Sequence, residues 1–214
     1  MQPPFTKQAD PFLRWIVLLL VVGSLGSVIA LALAAHSDQI TGEGYAPAQP
    51  VPFSHEHHVG RLGLDCRYCH GGVETGAFAG VPATSVCMTC HSQLFTQEEM
   101  LEPVRQSLYQ NKPIHWTRVH NLPDYVYFDH SIHLSKGVGC AECHGPVAKM
   151  PLMRKAHSMT MSWCLDCHRD PGPRLRDQEL LFNTVDQPPR DPDRLMQEYH
   201  VNTEGLTSCT ACHR

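Results

Sequence analysis

The sequence predicts a mostly irregular chain with short α-helices and one N-terminal transmembrane helix. Three observations support this fold class. The 214 residues include ten cysteines and fifteen histidines but only 7% aromatic residues, which leaves little material for a conventional core. Prolines and glycines interrupt most segments, and no segment shows the alternation of a half-buried strand. Residues 15–35 carry no charged side chain.

All ten cysteines fall into five CxxCH motifs, at residues 66–70, 87–91, 140–144, 164–168 and 209–213. In this motif the two thiols form thioethers with the vinyl groups of a c-type haem, and the adjacent histidine is the proximal iron ligand. The sequence therefore predicts a multihaem cytochrome c in which short helices surround five covalently bound c-type haems. The predicted attachment residues are Cys66, Cys69, Cys87, Cys90, Cys140, Cys143, Cys164, Cys167, Cys209 and Cys212, and the predicted proximal ligands are His70, His91, His144, His168 and His213.

Zinc binding is the main alternative to haem attachment. Seventeen residues separate Cys69 from Cys87 and twenty separate Cys143 from Cys164, both within the range of paired CxxC zinc sites. However, a histidine follows every CxxC, although a four-cysteine zinc site has no use for it. Five CxxC units also leave one unit unpaired. A location outside the cytoplasm, argued below, is the third observation that favours haem.

Two histidine repeats precede the motifs in nearly the same register. The pattern F-x-H-x-x-H occupies residues 53–58 and 128–133, each followed by two CxxCH motifs. Histidines three residues apart on a helical turn share one face, so they can reach two different irons. We predict that His55 and His130 are distal ligands of the haems that follow them, and that His58 and His133 ligate neighbouring haems. The alternative is that these are surface histidines.

Five six-coordinate haems need a fifth distal ligand. His120, at the end of the segment 113–120, is the predicted fifth ligand. The distal alternatives are Met161, His157 and His200, with His115 and Met153 as further candidates. A methionine ligand would raise the haem potential relative to a second histidine.

The uncharged residues 15–35 are long enough to cross a bilayer as a helix. A cleaved signal peptide has a shorter apolar region, although residues 32–34 resemble a cleavage site. Lys7 and Arg14 precede the segment, whereas Asp38 and Glu43 follow it, so the positive-inside rule predicts a cytoplasmic N-terminus. We therefore expect a single-pass protein of the bacterial cytoplasmic membrane with its haem domain in the periplasm, where c-type haems are attached.

The predicted organisation follows from these landmarks. Helices are predicted around each CxxCH motif, over residues 103–110, and from Asp191 to about Tyr199, with mostly irregular structure between the last two motifs. The predicted segments are a cytoplasmic N-terminus and transmembrane anchor (1–35), a linker (36–52), a first two-haem module (53–95), a connecting segment (96–127), a second two-haem module (128–170) and a C-terminal extension with the fifth haem (171–214).

Charge and histidine content limit the possible functions. The formal net charge of −4 provides no basic surface, so nucleic-acid binding is excluded. Three classes remain: an electron relay, a stand-alone quinol dehydrogenase of the tetrahaem-like type, and a multihaem reductase with an open haem. The relay is favoured, because there are enough histidines to cap every iron on both sides and the apolar span offers a quinol only Ser24 and Ser27. No catalytic residue is predicted.

Several segments carry a resemblance to known cytochromes. Residues 53–58 and 62–70 are similar to multihaem cytochromes of the c3/c7 type. With the N-terminal span and residues 113–120, 125–133 and 161–168, the chain resembles the pentahaem cytochrome c subunit of alternative complex III, a quinol:electron-acceptor oxidoreductase. The resemblance covers residues 10–170 and the last motif, and it places no family positions on residues 171–208.

This resemblance implies a function and partners. It implies an electron-transfer subunit of a menaquinol-oxidising respiratory or photosynthetic complex, which passes electrons to a periplasmic or membrane-bound acceptor such as a soluble cytochrome or a copper protein. The implied partners are a multispan membrane subunit with the quinol site, an iron–sulfur subunit and a monohaem cytochrome.

Overall fold

The computed structural model describes residues 9–185, 188 and 190–213, and the chain divides into two units, residues 1–42 and 43–214. In this part of the chain the α-helices are α1 (Ala9–Ala35), α2 (Asp38–Thr41), α3 (Cys66–Cys69), α4 (Thr84–His91), α5 (Glu102–Gln110), α6 (His130–Ser135), α7 (Cys140–His144), α8 (Met161–Arg169), α9 (Pro192–Glu198) and α10 (Cys209–Cys212). A π-helix covers Glu56–Arg61, and short 3-10 helices cover Glu99–Leu101, Val147–Lys149, Gly172–Arg174 and Gln178–Leu180.

The first unit consists of α1 and α2. By length and composition, the stretch Asp10–Ala35, with a mean hydropathy of 2.8, is able to cross a membrane. The helix begins before the predicted apolar span, and Arg14 pairs with Asp10 at 2.8 Å in its first turns. The hydroxyls of Ser24 and Ser27 donate to carbonyls of the preceding turn at 3.0 and 2.8 Å. Both hydroxyls are therefore satisfied within the helix, as an apolar surrounding requires.

The helices predicted in the second unit are confirmed. Every CxxCH motif lies on or directly at the end of a short helix, α3, α4, α7, α8 or α10. Helix α5 ends at Asn111, whose φ of 50° is the left-handed conformation common after helices. Helix α9 begins after Asp191, whose carboxylate accepts the Arg194 backbone N–H at 3.1 Å. Asp191, where the second of these helices is predicted to begin, is thus its N-cap.

The second unit has no β-strand among its described residues, as the sequence predicts. Two isolated antiparallel bridges join Val126 to His213 and Val138 to Leu175. The buried apolar set is small: Met150, Leu175 and Leu195 are the largest fully buried side chains of this part of the chain. Short helices and few buried hydrophobes agree with the composition.

Residues 43–52, predicted to belong to a linker, pack within the second unit. The Gly44 N–H donates to the Lys155 carbonyl at 2.7 Å, and the Lys155 N–H donates to the Tyr45 carbonyl at 3.2 Å. The Gln49 side chain makes two hydrogen bonds, of 2.8 and 2.9 Å, with the backbone of Thr117. Val51 is only 5% exposed. This part of the predicted linker is therefore fixed to the unit that carries the CxxCH motifs.

The last three residues of the first histidine repeat form the start of the π-helix Glu56–Arg61 instead of an α-helix. Its Glu56 N–H donates to the Met150 carbonyl at 3.0 Å, which ties the repeat to the second half of the unit. A Cβ at Gly60 would lie 2.2 Å from the Ala148 carbonyl oxygen, so only glycine permits this approach. Single π-helical turns are frequent at functional sites.

Candidate haem sites

We number the CxxCH motifs in chain order: site 1 (66–70), site 2 (87–91), site 3 (140–144), site 4 (164–168) and site 5 (209–213). In each site the two cysteines are three residues apart on a helix, so their thiols lie on one face. All ten cysteines are free of disulfides. The motif thus presents two thiols and one imidazole together, as thioether attachment and axial ligation of one haem require.

Four of the five proximal histidines lie opposite a histidine of the two repeats. Sites 1 and 2 pair with the first and second histidines of the first repeat, and sites 3 and 4 pair with those of the second repeat. The separations of the ring centroids are 6.4 Å for His55–His70, 6.2 Å for His58–His91, 6.3 Å for His130–His144 and 6.2 Å for His133–His168. The structure therefore places four of the five predicted distal histidines each opposite the proximal histidine of a different site, and their role as iron ligands stays a prediction.

These separations fit a metal ion between the two rings. Two metal–imidazole bonds of about 2 Å on opposite sides of one ion, together with half the width of each ring, separate the ring centres by about 6 Å. The rings are nearly parallel in sites 1 and 3, with interplanar angles of 8° and 3°. The spacing is thus suited to bis-histidine ligation.

Hydrogen bonds to the backbone orient six of the eight paired rings. The Nδ1 atoms lie 2.9 Å (His58), 2.7 Å (His70), 3.2 Å (His91), 2.7 Å (His130), 2.7 Å (His133) and 3.0 Å (His168) from the carbonyl oxygens of Ser54, Gly80, Leu94, Ala77, Asp129 and Leu206, respectively. An Nδ1–H that donates to a carbonyl leaves Nε2 with its lone pair, which is the form that binds a metal. In the other two rings, those of His55 and His144, the buried Nδ1 has no partner.

A phenylalanine orients the two histidines in each repeat. Phe53 meets His55 edge-on at 4.9 Å and 86° and stacks on His58 at 4.4 Å and 23°. Phe128 meets its two histidines in the same way: His130 at 4.7 Å and 88°, and His133 at 4.7 Å and 26°. Each phenylalanine ring therefore fixes the two imidazoles roughly perpendicular to each other, so that they face two different sites.

Burial keeps key imidazoles neutral, which is the form that ligates iron. Burial, followed by the charges of His70 and His58, lowers the pKa of His55 to about 4. Burial, followed by His120, lowers the pKa of His144 to about 3. Burial also lowers the pKa of His133. In each case burial favours the neutral ring, which is the form that can ligate iron.

Site 5 is arranged differently from the other four sites. The ring of His213 lies 5.8 Å from that of Tyr125, at an angle of 30°. The Tyr127 N–H donates to the Cys212 carbonyl at 2.7 Å, which holds this segment against site 5. His120, the predicted fifth distal ligand, lies beside site 3 instead: its ring centroid is 4.3 Å from that of His144.

His120 nevertheless has the properties of an available ligand. Its Nε2 is buried without a partner, and burial, followed by the charge of Lys155, lowers its pKa to about 4. Of the distal alternatives, Met161 is 64% exposed, and the ring of His157 stacks on that of Trp163 at 5.5 Å. His200 has a left-handed φ of 47°, and its carbonyl accepts the Lys136 ammonium at 3.3 Å. Neither of these contacts of His157 and His200 involves a proximal histidine. The ligand of site 5 stays a prediction.

A buried charged cluster at site 3 was not found by sequence reasoning. Glu142, within the CxxC of site 3, is 9% exposed and contacts three arginines of the C-terminal extension. Arg176, only 3% exposed, donates to its carboxylate, as does Arg190 at 2.8 Å, and Arg174 lies at 3.7 Å. The extension thus places positively charged arginine side chains next to sites 3 and 4. The only sequence signal is the acidic residue inside a CxxC motif.

Comparisons with known proteins agree with these features. Residues 126–214 match the family described as cytochrome c7 and related cytochrome c. The match includes residues 171–208, on which the sequence resemblance placed no family positions. The chain is also 29% identical over 166 residues to the menaquinone reductase multihaem cytochrome c subunit of Nitratidesulfovibrio vulgaris (strain Hildenborough). That alignment covers 77% of this chain and 67% of the relative.

The CxxCH helices, the paired imidazoles and both similarities favour haem over zinc at these motifs. In the residues that the structure describes, no three histidine, cysteine, aspartate or glutamate side chains are grouped to hold a metal ion by themselves. Residues 126–214 are thus similar to cytochrome c7, and most of the chain is similar to a multihaem cytochrome c subunit.

Proposed function

We propose that the chain is a membrane-anchored pentahaem cytochrome c that acts as the electron-transfer subunit of a menaquinol-oxidising complex and relays electrons to a periplasmic acceptor. The observation that carries this proposal is the set of four imidazole pairs with centroid separations of 6.2 to 6.4 Å. When bound, a c-type haem held by two imidazoles supplies one-electron transfer and leaves no iron position open to a substrate.

The chain's own residues would hold and tune the haems. The CxxCH cysteines attach each haem, and the paired histidines cap it on both sides. Backbone carbonyls fix the tautomers of six of these histidines. The stretch Asp10–Ala35 would anchor the chain in the cytoplasmic membrane, with the CxxCH sites in the periplasm.

The partners and the direction of transfer belong to the proposal. We propose a multispan quinol-binding subunit, an iron–sulfur subunit and a monohaem cytochrome as partners. The similarity to a menaquinone reductase subunit favours a second candidate, in which the chain delivers electrons toward menaquinone instead of receiving them from menaquinol. Both candidates share a relay between a periplasmic redox partner and the quinone pool.

The experiment that tests the relay compares the purified chain with its intact membrane complex. Each is mixed anaerobically with a short-chain menaquinol, and haem reduction is followed by stopped-flow absorbance. Fast reduction in the complex, with slow reduction of the isolated chain, supports the relay. Fast, inhibitor-sensitive reduction of the isolated chain would favour a stand-alone quinol dehydrogenase. Oxidation of the prereduced complex by menaquinone, without reduction by menaquinol, would favour the second candidate.

Two measurements test the number of haems and their closure. The mass of the denatured chain should exceed that of the polypeptide by five haems, because each CxxCH attaches one haem. The electron paramagnetic resonance spectrum of the oxidised protein should contain low-spin signals alone. A high-spin signal would indicate an open iron and favour a multihaem reductase, with site 5 as the place to examine first.

A further inference from the structure

We infer that the five attachment sites form one unbranched series in the order 2–1–3–4–5, with sites 2 and 5 at its two ends. This order differs from the order of the motifs in the chain. The inference rests on the proposed relay for its meaning, since electrons then enter and leave at the ends. Its geometric basis is a set of contacts that links each site to its neighbours.

Sites 2 and 1 are linked through their motifs and through the first repeat. The Tyr68 hydroxyl, inside the CxxC of site 1, lies 3.0 Å from the Thr89 hydroxyl, inside the CxxC of site 2. The two histidines of the first repeat, three residues apart, face these two sites. Sites 1 and 2 are therefore direct neighbours.

Sites 1 and 3 meet at the same short piece of backbone. The Cys66 thiol lies 3.8 Å from the Phe182 carbonyl oxygen, and the Cys140 N–H donates to the Leu181 carbonyl at 2.9 Å. Site 1 thus contacts site 3, which follows it by two positions in the motif order.

A second contact, at the predicted distal histidine of site 3, also places sites 1 and 3 next to each other. The Ala77 carbonyl, in the loop after site 1, lies 2.7 Å from Nδ1 of His130. The same carbonyl accepts the His130 backbone N–H at 3.3 Å, and the Gly76 carbonyl accepts the Ser131 N–H at 3.3 Å. The loop of site 1 therefore positions the histidine that pairs with site 3.

Sites 3 and 4 are linked by the second repeat, as sites 1 and 2 are by the first. His130 and His133 lie on α6, one turn apart, and face sites 3 and 4. A single helical turn thus carries the histidines that face both sites, which makes sites 3 and 4 neighbours.

Sites 4 and 5 are linked by a hydrogen bond. Nδ1 of His168 lies 3.0 Å from the carbonyl oxygen of Leu206, in the segment that leads into site 5. The proximal histidine of site 4 is thus oriented by the backbone just before site 5.

The contacts show why the series does not branch. Site 1 contacts site 2 through Tyr68 and site 3 through Cys66, and the histidines of the second repeat join site 3 to site 4. At each end of the series one cysteine is exposed, Cys90 at site 2 and Cys209 at site 5.

The order can be tested by electron paramagnetic resonance, because a nearby ferric haem speeds the relaxation of a paramagnetic centre and the effect falls steeply with distance. His55→Ala opens site 1 and His130→Ala opens site 3, so that each variant carries one high-spin signal. In each background the haem of site 2 is removed with Cys87→Ser and Cys90→Ser. The relaxation of the tagged signal is then measured in the full-length protein by power saturation.

Removal of the haem at site 2 should slow the relaxation of the tag at site 1 and leave that of the tag at site 3 unchanged. The sequential order 1–2–3–4–5 makes site 3 a neighbour of site 2, so slowed relaxation of the tag at site 3 would overturn the inference. As a matched control, Cys209→Ser with Cys212→Ser removes the haem at the other end and should leave both tags unchanged.

A second variant avoids any effect of a missing haem on folding. His58→Met raises the potential of site 2, so that this haem is reduced first and no longer relaxes its neighbours. Partial reduction should then slow the relaxation of the tag at site 1 alone, and slowed relaxation at site 3 would again overturn the order. These measurements use no quinol or acceptor, so their failure leaves the proposed relay intact, and failure of the relay leaves the order intact.

Discussion

The two histidine repeats hold their histidines against a phenylalanine in the same way, although their helices differ. In residues 53–58 the second histidine lies in a π-helix, whereas in residues 128–133 both histidines lie in the α-helix α6. Nevertheless, the edge-on and stacked contacts of Phe53 and Phe128 with their histidines agree within a few tenths of an ångström. The phenylalanine and the three-residue spacing therefore set the geometry, and the type of helix adapts to the surrounding backbone.

The repeats differ in the charges placed around the sites that follow them. The second residue between the cysteines is Tyr68 at site 1, which is 52% exposed, and Glu142 at site 3, which is 9% exposed. The C-terminal extension covers site 3 with arginines, whereas the hydroxyl of Tyr68 meets Thr89 of site 2. The same attachment motif is thus placed in a buried ionic environment in one module and a partly hydrated one in the other.

The largest expected effect is on the spin state of the haems. It tests whether the second histidines of the two repeats are equivalent. His58→Ala and His133→Ala should each convert one haem, at site 2 or site 4, from low-spin to high-spin, because each removes one of two axial ligands. The spectrum of the oxidised protein measures this conversion. His57→Ala is the matched control, since His57 is an exposed neighbour in the first repeat and should leave all haems low-spin.

A high-spin haem in only one of these two variants would show that the two repeats are not equivalent. The repeat without such an effect would then use another ligand at its second site, and the shared contacts with phenylalanine would have only a structural role.

The next effect tests the difference between the modules. Glu142→Gln should destabilise the protein by about 3–5 kcal/mol, because it removes one partner of a buried ion pair and leaves buried arginine charge uncompensated. Tyr68→Phe should cost about 1 kcal/mol or less, because its hydrogen bond is exposed to water. The free energy of unfolding, measured in guanidinium chloride by circular dichroism, separates the two values.

A double variant sharpens this test. Glu142→Leu combined with Arg176→Met replaces the closest buried pair by apolar side chains, and it should restore much of the stability lost in Glu142→Gln. Equal losses for the double variant and for Glu142→Gln would show that Arg176 is not the charge left uncompensated.

A smaller effect tests the feature that the repeats share. Phe53→Leu and Phe128→Leu keep an apolar side chain but remove the ring contacts, so each should lose about 0.5–1.5 kcal/mol of stability. The two losses should be equal, because the ring geometry is the same in both repeats. Phe78→Leu is the control, since Phe78 is 78% exposed and should show no measurable change. Unequal losses would mean that one repeat is held by other contacts.

The sequence predicts those parts of the site that depend on local spacing. Helices carry the CxxCH motifs, and the i, i+3 histidines of each repeat face two sites, because both features follow from the geometry of a single turn. The π-helix of the first repeat depends on the approach of Gly60 to Ala148, a contact between distant segments. Periodicity within one segment carries no information about such a contact.

The arginines around Glu142 and the order of the sites were beyond sequence reasoning for the same reason. Arg176 and Arg190 follow Glu142 by 34 and 48 residues, in the extension where prolines obscure any periodic pattern. The position of His120 beside His144, rather than opposite His213, likewise reflects how the connecting segment packs. Spacing identifies the groups that can bind a haem, whereas tertiary packing decides which groups meet.

The smallest expected effect lies in the shape of the low-spin signals. The imidazole planes are nearly parallel in site 1, at 8°, but lie at 61° in site 2. Two parallel imidazole planes act on the same one of two iron d orbitals and therefore separate these two orbitals in energy. Steeply inclined planes leave the two orbitals close in energy. Site 2 should therefore give a more anisotropic low-spin signal than site 1, and site 4, at 27°, should resemble site 1.

The loss of one signal in a variant assigns that signal to its site. His58→Ala should remove the most anisotropic low-spin signal, and His133→Ala should remove a less anisotropic one. If both variants remove signals of the same shape, the difference in ring angle between the modules does not persist once iron is bound. The two repeats would then be equivalent at the metal as well as in the arrangement of their phenylalanines, and the difference between the modules would lie only in the charges around site 3.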